Sequence, residues 1–210
     1  MLDLKDISYQ PQTGNKKIIN DISFNLHENE ILLICGISGS GKTTLLEIIS
    51  GLTIPQKGKI TWNNKIISAR QRRWMTGLVF QFPERYFLGR TIGKELKIGQ
   101  KGLREKNIDR VLKKVGLSGI NLTQPPEELS GGQQRRLAVA VQLIRNPTIL
   151  LLDEPTAGLD WSMKNDVKNL VLNLKNKNTI IIVTHEPSLF EGIPSRILTI
   201  ERGKIKKLLN

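Results

Sequence analysis

A glycine-rich segment with one lysine and one threonine is the first place where this sequence could do chemistry. Residues 36–43 read Gly-Ile-Ser-Gly-Ser-Gly-Lys-Thr and match the pattern G-x-x-x-x-G-K-[ST]. Glycines let the backbone curl so that successive N–H groups face an anion, while the lysine neutralises phosphate charge and the threonine hydroxyl binds Mg²⁺. A glycine-rich turn that binds no ligand is the weaker alternative. The segment predicts a nucleotide phosphate site formed by Gly36, Ser38, Gly39, Ser40, Gly41, Lys42, Thr43 and Thr44.

Two adjacent acids follow a short apolar run. Residues 149–152 are Ile-Leu-Leu-Leu, and Asp153 and Glu154 come directly after them. We expect a strand that ends in both acids at the carboxyl edge of a sheet, where open α/β folds bind ligands. Since neighbouring side chains on a strand point opposite ways, Asp153 is predicted to bind Mg²⁺ and Glu154 to polarise a water that attacks the γ-phosphate. Taken alone, the pair is more often a solvated strand end.

A second anion site is indicated at residues 130–133, which read Ser-Gly-Gly-Gln. Ser130 precedes two glycines and a helical pattern, so we expect it to be the N-cap of a helix with exposed amides. One chain does not need two phosphate sites for one nucleotide. An ordinary helix cap is the alternative.

Leu129 to Gln133 reproduces the signature of the ABC ATPase family, which the sequence resembles over nearly its whole length. The resemblance implies ATP and Mg²⁺ as cofactors and a second ABC ATPase subunit as partner, in a homodimer or a heterodimer. The two ATPase domains pack head to tail in this family. Each signature, here Ser130, Gly131, Gly132 and Gln133, would then close over the γ-phosphate held by the other domain.

Further residues match the family in order along the chain. The resemblance implies that Gln81 touches Mg²⁺ or the attacking water, that Asp160 contacts the opposite subunit, and that His185 holds the γ-phosphate. A lone histidine at a strand end is otherwise a surface or packed residue. The aromatic residue that stacks on adenine in many members is expected near Pro11, whereas Tyr9 lies two residues earlier. Tyr9 therefore either stacks on the base or packs against the sheet.

Residues 81–87, Gln-Phe-Pro-Glu-Arg-Tyr-Phe, resemble the Q-F-P-E-x-x-x-F stretch of energy-coupling factor importers, which take up vitamins, cobalt or nickel. This resemblance implies an ATP-hydrolysing subunit of a micronutrient importer, with an integral membrane transporter subunit as its partner. The alternative is a soluble ABC ATPase that serves assembly, repair or translation. That class predicts long coiled-coil insertions, tandem ATPase domains or extra binding arms, and the sequence contains none of these patterns.

An α/β fold must position these residues. The continuous apolar runs at 31–35, 149–152 and 180–183 predict strands that are covered on both faces of a parallel sheet. Alternating residues at 2–9 and 21–26, around a polar turn at 12–15, predict an antiparallel piece before it.

Helical spacing of apolar residues, as at Ile108, Val111, Leu112 and Val115, predicts an insertion of helices, the first of which stops near Gly116. We therefore expect one ABC ATPase domain over residues 1–210. Its P-loop NTPase core, with a mostly parallel sheet and an N-terminal antiparallel β piece, is predicted at 1–81 and 146–210. A helical insertion subdomain with the signature is predicted at about 82–145.

The composition bears on partners and location. The 210 residues contain 32 Lys and Arg and 19 Asp and Glu, for a net charge of +13, but the basic residues are dispersed as pairs. We expect them on solvated faces and expect no nucleic-acid partner. Cys35 lies in an apolar run, which favours a buried thiol in a reducing cytoplasm. No signal peptide or membrane span is predicted, so we expect peripheral attachment to the inner face of a membrane through other subunits.

Overall fold

The computed structural model describes residues 1–12, 14–100 and 102–209. Ten strands and six α-helices lie within them. In chain order they are β1 (Leu2–Tyr9), β2 (Ile19–Leu26), β3 (Ile31–Cys35), α1 (Lys42–Ser50), β4 (Lys57–Trp62), β5 (Lys65–Ile66), α2 (Ala69–Met75), β6 (Thr76–Val79), α3 (Ile92–Lys97), α4 (Glu105–Lys114), α5 (Gly131–Ile144), β7 (Ile149–Asp153), α6 (Trp161–Leu174), β8 (Thr179–Thr184), β9 (Arg196–Glu201) and β10 (Lys204–Leu209).

Four strands form an antiparallel sheet in the order β2-β1-β4-β5. Leu2 of β1 pairs with Leu26 of β2, and Leu4 pairs with Phe24. The antiparallel β piece predicted at the N-terminus is confirmed. Of the polar turn predicted at 12–15, Thr13 lies outside the described residues, while the Gly14 N–H donates to the Pro11 carbonyl at 3.1 Å.

The second sheet has the order β10-β9-β3-β8-β7-β6, and its neighbours are parallel except for β10, which runs antiparallel to β9. Every residue of β3, β7 and β8 is buried. This confirms the mostly parallel core that the continuous apolar runs predicted. Because both faces of these strands are covered, polar side chains are restricted to the ends of the strands, where the loops begin.

Two apolar clusters cover the parallel sheet, one on each face. Leu33 and Ile182 belong to the cluster that contains residues of α3, α4, α5 and α6. Ile34 and Ile181, their neighbours along the strands, belong to the cluster that contains α1 and the antiparallel sheet. The alternation of strand side chains thus assigns helices to both faces of the sheet, as in other α/β folds.

Helices α3, α4 and α5 lie within residues 82–145, where apolar spacing predicted them. Helix α4 ends ahead of Gly116, whose φ of 72° is left-handed and terminates the helix, as expected of a glycine at this position. The division into a core and a helical subdomain remains a prediction. No helix in the described part of the chain is long and apolar enough to cross a membrane.

Candidate functional site

The loop between β3 and α1 has the conformation that its glycines suggested. Gly39 and Gly41 adopt φ angles of 75° and 103°, in the left-handed region that favours glycine. A Cβ added to Gly41 would lie 2.8 Å from the carbonyl oxygen of Ile18. Gly41 is also the N-cap of α1, and it has no side chain to bond the first amides of that helix. The N-terminal end of α1 therefore offers N–H donors to an anion.

Lys42 lies over this loop and is buried. Its Nζ donates to the carbonyl oxygens of Gly36 at 2.8 Å and Ile37 at 3.0 Å, and it lies 3.7 Å from Oε1 of Glu154. The Lys42 ammonium group is thus held between the loop and Glu154, the residue that directly follows β7. A phosphate bound by the loop would compete with these carbonyls for the ammonium protons.

Thr43 and Asp153 form the oxygen pair that a divalent cation would need. The Thr43 hydroxyl donates to Oδ1 of Asp153 at 3.2 Å. Burial raises the pKa of the Asp153 carboxyl to about 6, the hydrogen bond from Thr43 opposes that rise, and the neighbouring Glu154 charge adds to it. Together with the side-chain amide of Gln81, which lines the same cleft, these groups are the hard oxygen donors that Mg²⁺ prefers.

Glu154 departs from the sequence prediction. We expected both acids to end the strand, but β7 stops at Asp153 and Glu154 has a left-handed φ of 45°. The chain turns out of the sheet at this residue while the Glu154 N–H still donates to the Val183 carbonyl at 2.9 Å. We predicted the directions of Asp153 and Glu154 by treating them as neighbours on one strand. That reasoning is wrong for Glu154, because this residue lies outside the strand. Such strained conformations of non-glycine residues are concentrated at active sites.

The turn brings Glu154 onto His185. Oε2 of Glu154 lies 2.8 Å from Nδ1 of His185 and accepts the His185 N–H at 3.2 Å. Because a carboxylate only accepts hydrogen bonds, Nδ1 carries the proton in this pair. The two oxygens of Glu154 are thus fixed separately, one by His185 and the other by Lys42.

These residues line one open cleft of about 1150 Å³. It is large enough for a nucleotide. The cleft contains most of the predicted phosphate loop together with Gln81, Glu154 and His185. Asp153 and Ser40 are buried beneath it, and the hydroxyl of Ser40 has no hydrogen-bond partner among the described residues.

Tyr9 does not line the cleft. It ends β1 opposite Ile19 and packs against the apolar cluster of the antiparallel sheet. This packing is one of the two roles that the sequence left open for Tyr9, and stacking of its ring on adenine remains a prediction. The cleft wall near this sheet is formed instead by Lys16, Lys17 and Ile18.

The signature residues lie outside the cleft, at the start of α5. Ser130 caps the helix: its Oγ accepts the Gln133 N–H at 3.3 Å, and Oε1 of Gln133 accepts the Ser130 N–H at 3.0 Å. This reciprocal capping box confirms the predicted N-cap, but it also occupies one of the amides that we expected to be exposed. A Cβ on Gly131 would lie 3.4 Å from the Leu159 side chain, so the signature packs beside residues 157–160.

Sequence reasoning missed Arg135, because basic residues were expected on solvated faces. Arg135 is only 5 % exposed. Its guanidinium donates to the carbonyls of Gln81 and, at 2.6 Å, Ala157, and lies 5.6 Å from the centre of the Phe82 ring. Burial lowers the pKa of this guanidinium, and the charge of Glu84 opposes that effect. Arg135 therefore joins the segments that follow β6 and β7.

Sequence reasoning also missed cationic residues that line the cleft. Lys16 and Lys17 precede β2, and Arg202 lies in the turn between β9 and β10. No sequence motif marks them, because these segments are distant along the chain and meet only in the folded structure.

Known proteins resemble this chain in sequence and in fold. The sequence profile of the family described as ABC transporter matches residues 19–157. ABC transporter I family member 11, chloroplastic, of Arabidopsis thaliana is 39% identical over 97% of this chain and 79% of its own length. The energy-coupling factor transporter ATP-binding protein EcfA2 of Caldanaerobacter subterraneus subsp. tengcongensis is 38% identical over 90% of this chain and 70% of its own length.

Two solved structures share the fold along essentially the whole chain. CbiO1 from Clostridium perfringens, part of the ABC transporter complex CbiONQ, has a TM-score of 0.90 at 28% identity, covering 100% of this chain and 88% of that one. A dimeric bacterial ABC transporter cassette has a TM-score of 0.82 at 27% identity, covering 99% and 97%. The family profile spans more than half of the sequence, and its range includes the phosphate loop, Gln81 and Glu154 of the cleft. This chain therefore belongs to the ABC transporter family of ATP-binding subunits, which hydrolyse ATP to drive transport.

Proposed function

We propose that this chain binds MgATP in the cleft and hydrolyses it as the motor subunit of an energy-coupling factor type importer for a micronutrient, a metal ion or a vitamin. The observation that carries the proposal is the Glu154 carboxylate, held between Lys42 and His185 beside the phosphate loop. The names of two similar proteins, EcfA2 and the CbiO1 subunit, support the importer class.

Each group in the cleft has a chemical task in this proposal. The amides at the start of α1 and the Lys42 ammonium bind the β- and γ-phosphates. Thr43, Asp153 and Gln81 hold Mg²⁺, which neutralises charge that develops on the phosphates. Glu154 accepts a proton from the attacking water, and His185 keeps the carboxylate in place and contacts the γ-phosphate.

A second ATPase subunit completes the site in this proposal. Ser130, Gly131, Gly132 and Gln133 lie outside the cleft of their own chain, so they are available to the γ-phosphate held by a partner. Asp160, which accepts the Met163 N–H at 2.8 Å as the cap of α6, lies in the segment next to the signature and would contact the same partner. A dimeric cassette of the same fold supports this arrangement.

The membrane partner is assigned to the surface formed by residues 81–88. A 3₁₀ helix at Pro83–Tyr86 presents Tyr86, which is 57 % exposed, and Leu88 is 80 % exposed. Gln81 lines the cleft and begins this segment. Loss of the γ-phosphate would therefore change the contacts of Gln81 and, through it, the position of the surface formed by residues 81–88. The subunit would be cytoplasmic and attached to the inner face of the membrane, with residues 82–145 acting as a helical subdomain that moves against the core.

Purification of the tagged chain from native membranes tests this function. We expect an integral membrane subunit and a second ABC ATPase to co-purify after detergent extraction. Leu88→Glu should lose the membrane subunit while nucleotide binding is kept. Ile66→Glu is the matched control, since Ile66 is 69 % exposed on the edge strand β5 of the other sheet. Recovery of ribosomal or assembly proteins in place of a membrane subunit would contradict the importer.

A further inference from the structure

Glu95 is a buried acid that has no task in the hydrolysis proposed above. It lies in the first turn of α3, is only 5 % exposed, and forms no ion pair among the residues that the structure describes. A charge that is removed from water destabilises a fold unless hydrogen bonds or an opposite charge replace the lost hydration. The hydrogen bonds of this carboxylate therefore indicate what it does.

One oxygen of Glu95 binds two consecutive backbone amides. Oε2 accepts the Leu88 N–H at 2.8 Å and the Gly89 N–H at 2.6 Å. Gly89 also lies so close to the start of α3 that an added Cβ would overlap the backbone of Glu95. Hydrogen bonds to an ionised acceptor are roughly twice as strong as those between neutral groups. The carboxylate therefore fixes the end of the segment 81–88 on α3.

The segment 81–88 is thus held at both ends by side chains of two different helices. At its start, Arg135 of α5 donates to the carbonyl of Gln81. At its end, the side chain of Leu88 is mostly exposed, so its own packing does not hold the chain there. The two hydrogen bonds to Glu95 take the place of that packing. A segment that is ordered before a partner docks loses less conformational entropy on binding.

We propose that Glu95 is a positioning residue that prearranges the surface formed by residues 81–88 for the membrane subunit. The inference rests on the proposed function, because it takes this surface to be the docking site. Without the carboxylate, the amides of Leu88 and Gly89 lose their acceptor, and docking must order the end of the segment again. We expect the dissociation constant for the membrane subunit to rise about tenfold, equivalent to about 1.4 kcal/mol.

Two substitutions of similar length separate the hydrogen bonds of Glu95 from its volume. Glu95→Met fills the same space without an acceptor of comparable strength, whereas Glu95→Gln keeps an oxygen that accepts both amides. Binding of the labelled whole chain to native membranes, washed free of peripheral proteins, gives the dissociation constants. Glu95→Met should bind about tenfold more weakly, and Glu95→Gln should stay within about threefold of the wild type.

Two controls belong to the membrane titration. Glu105→Gln, at an exposed acid of α4, removes a charge from a neighbouring helix and should bind as the wild type does. Binding that persists after the membranes are treated with protease reports attraction of this basic chain to lipid, and it is subtracted. The remaining signal measures docking on a membrane protein.

Two further measurements distinguish positioning from general damage to the fold. Glu95 does not line the nucleotide cleft, so Glu95→Met and Glu95→Gln should bind MgATP within about twofold of the wild type. Amide hydrogen exchange in the wild-type chain requires no variant. The N–H groups of Leu88 and Gly89 should exchange at least about tenfold more slowly than in an unstructured peptide, although the Leu88 side chain faces solvent.

The outcomes separate this inference from the function on which it rests. Membrane binding of Glu95→Met at the wild-type level, equal losses in Glu95→Met and Glu95→Gln, or unprotected amides at Leu88 and Gly89 would each overturn the positioning role. Parallel loss of MgATP binding in Glu95→Met would reduce Glu95 to a structural residue. If the wild-type chain itself shows no protease-sensitive binding to the membranes, the proposed importer function fails, and the inference falls with it.

Discussion

The carboxylate of Glu154 lies 2.8 Å from Nδ1 of His185, and the backbone N–H of the same histidine donates to the same oxygen at 3.2 Å. The other oxygen faces Lys42 at 3.7 Å. Two basic groups thus fix the acid at the mouth of the phosphate loop. Its left-handed backbone makes this position possible, because a residue that continued β7 would stay in the plane of the sheet.

Glu154→Gln should abolish turnover while leaving nucleotide binding intact. The amide still accepts the His185 N–H, but it does not take a proton from water, so we expect a loss of about 100-fold or more in the rate of phosphate release. The measurement is phosphate release at saturating MgATP with the partner ATPase present. Glu186→Gln is the control, since Glu186 pairs with Lys164 at 2.8 Å and does not line the cleft. Turnover of Glu154→Gln at the wild-type rate would remove Glu154 as the base.

Lys42→Ala should weaken ATP binding itself. The variant removes the positive charge nearest the loop, and a charge-assisted contact with phosphate contributes about 1.5–3 kcal/mol, which predicts a dissociation constant at least tenfold higher. Equilibrium titration with MgATP measures it. Lys57→Ala, at an exposed residue that begins β4, should bind ATP as the wild type does. Unchanged affinity in Lys42→Ala would contradict the phosphate-loop assignment.

The ionised carboxylate of Asp153 should lower the free energy of unfolding at neutral pH when Mg²⁺ and nucleotide are absent. Burial raises its pKa from 3.8 to about 6, so the folded state holds the proton more tightly than the unfolded state. The resulting stability is complete below about pH 4 and is lost as the pH rises through 6. Asp153→Asn should therefore increase the free energy of unfolding at pH 7.5 by up to about 3 kcal/mol and flatten its dependence between pH 4 and 6.

Urea unfolding of both proteins across this range, in EDTA, gives the comparison. Thr43→Val supplies a second check, because it removes the hydrogen bond that opposes the raised pKa of Asp153. It should extend the pH dependence of stability to higher pH. A wild-type chain that gains stability steadily from pH 4 to pH 7 would contradict the raised pKa.

Local patterns in the sequence predicted much of the fold and half of the site. Residues 36–43 and the cap at Ser130 depend on their immediate neighbours, since glycine conformations and helix caps are set within a few residues. The strands β3, β7 and β8 followed from their apolar runs for the same reason.

The remaining parts of the site depend on contacts between distant segments. Nothing near Glu154 in sequence indicates that it leaves the strand to meet His185, 31 residues away. Arg202 lines the cleft beside Gly203, whose backbone is hydrogen-bonded to the distant residues Ser40 and Asn20. The burial of Arg135 reflects the two carbonyls that it satisfies, and one of them belongs to a loop 54 residues earlier.

Arg135 should act as a positioning residue that links the segment at Gln81 to the one at Ala157. Arg135→Lys keeps the charge but does not reproduce the fork of the guanidinium, so one of the two carbonyls loses its donor. An unpaired buried carbonyl costs about 1–3 kcal/mol. We expect the rate of ATP hydrolysis to fall roughly tenfold, because Gln81 and Glu154 both border the segments that Arg135 joins.

Two measurements on Arg135→Lys, the affinity for MgATP and the rate of ATP hydrolysis, distinguish a positioning role of Arg135 from general destabilisation of the fold. The affinity for MgATP should stay within about twofold of wild type, because Arg135 does not line the cleft. Arg110→Lys, at an exposed residue of α4, is the matched control and should alter neither quantity. Equal losses in affinity and rate, with a lower unfolding temperature, would reduce Arg135 to a structural residue. A reduced rate with affinity and melting temperature preserved would establish that the carbonyls of Gln81 and Ala157 must be held together for hydrolysis.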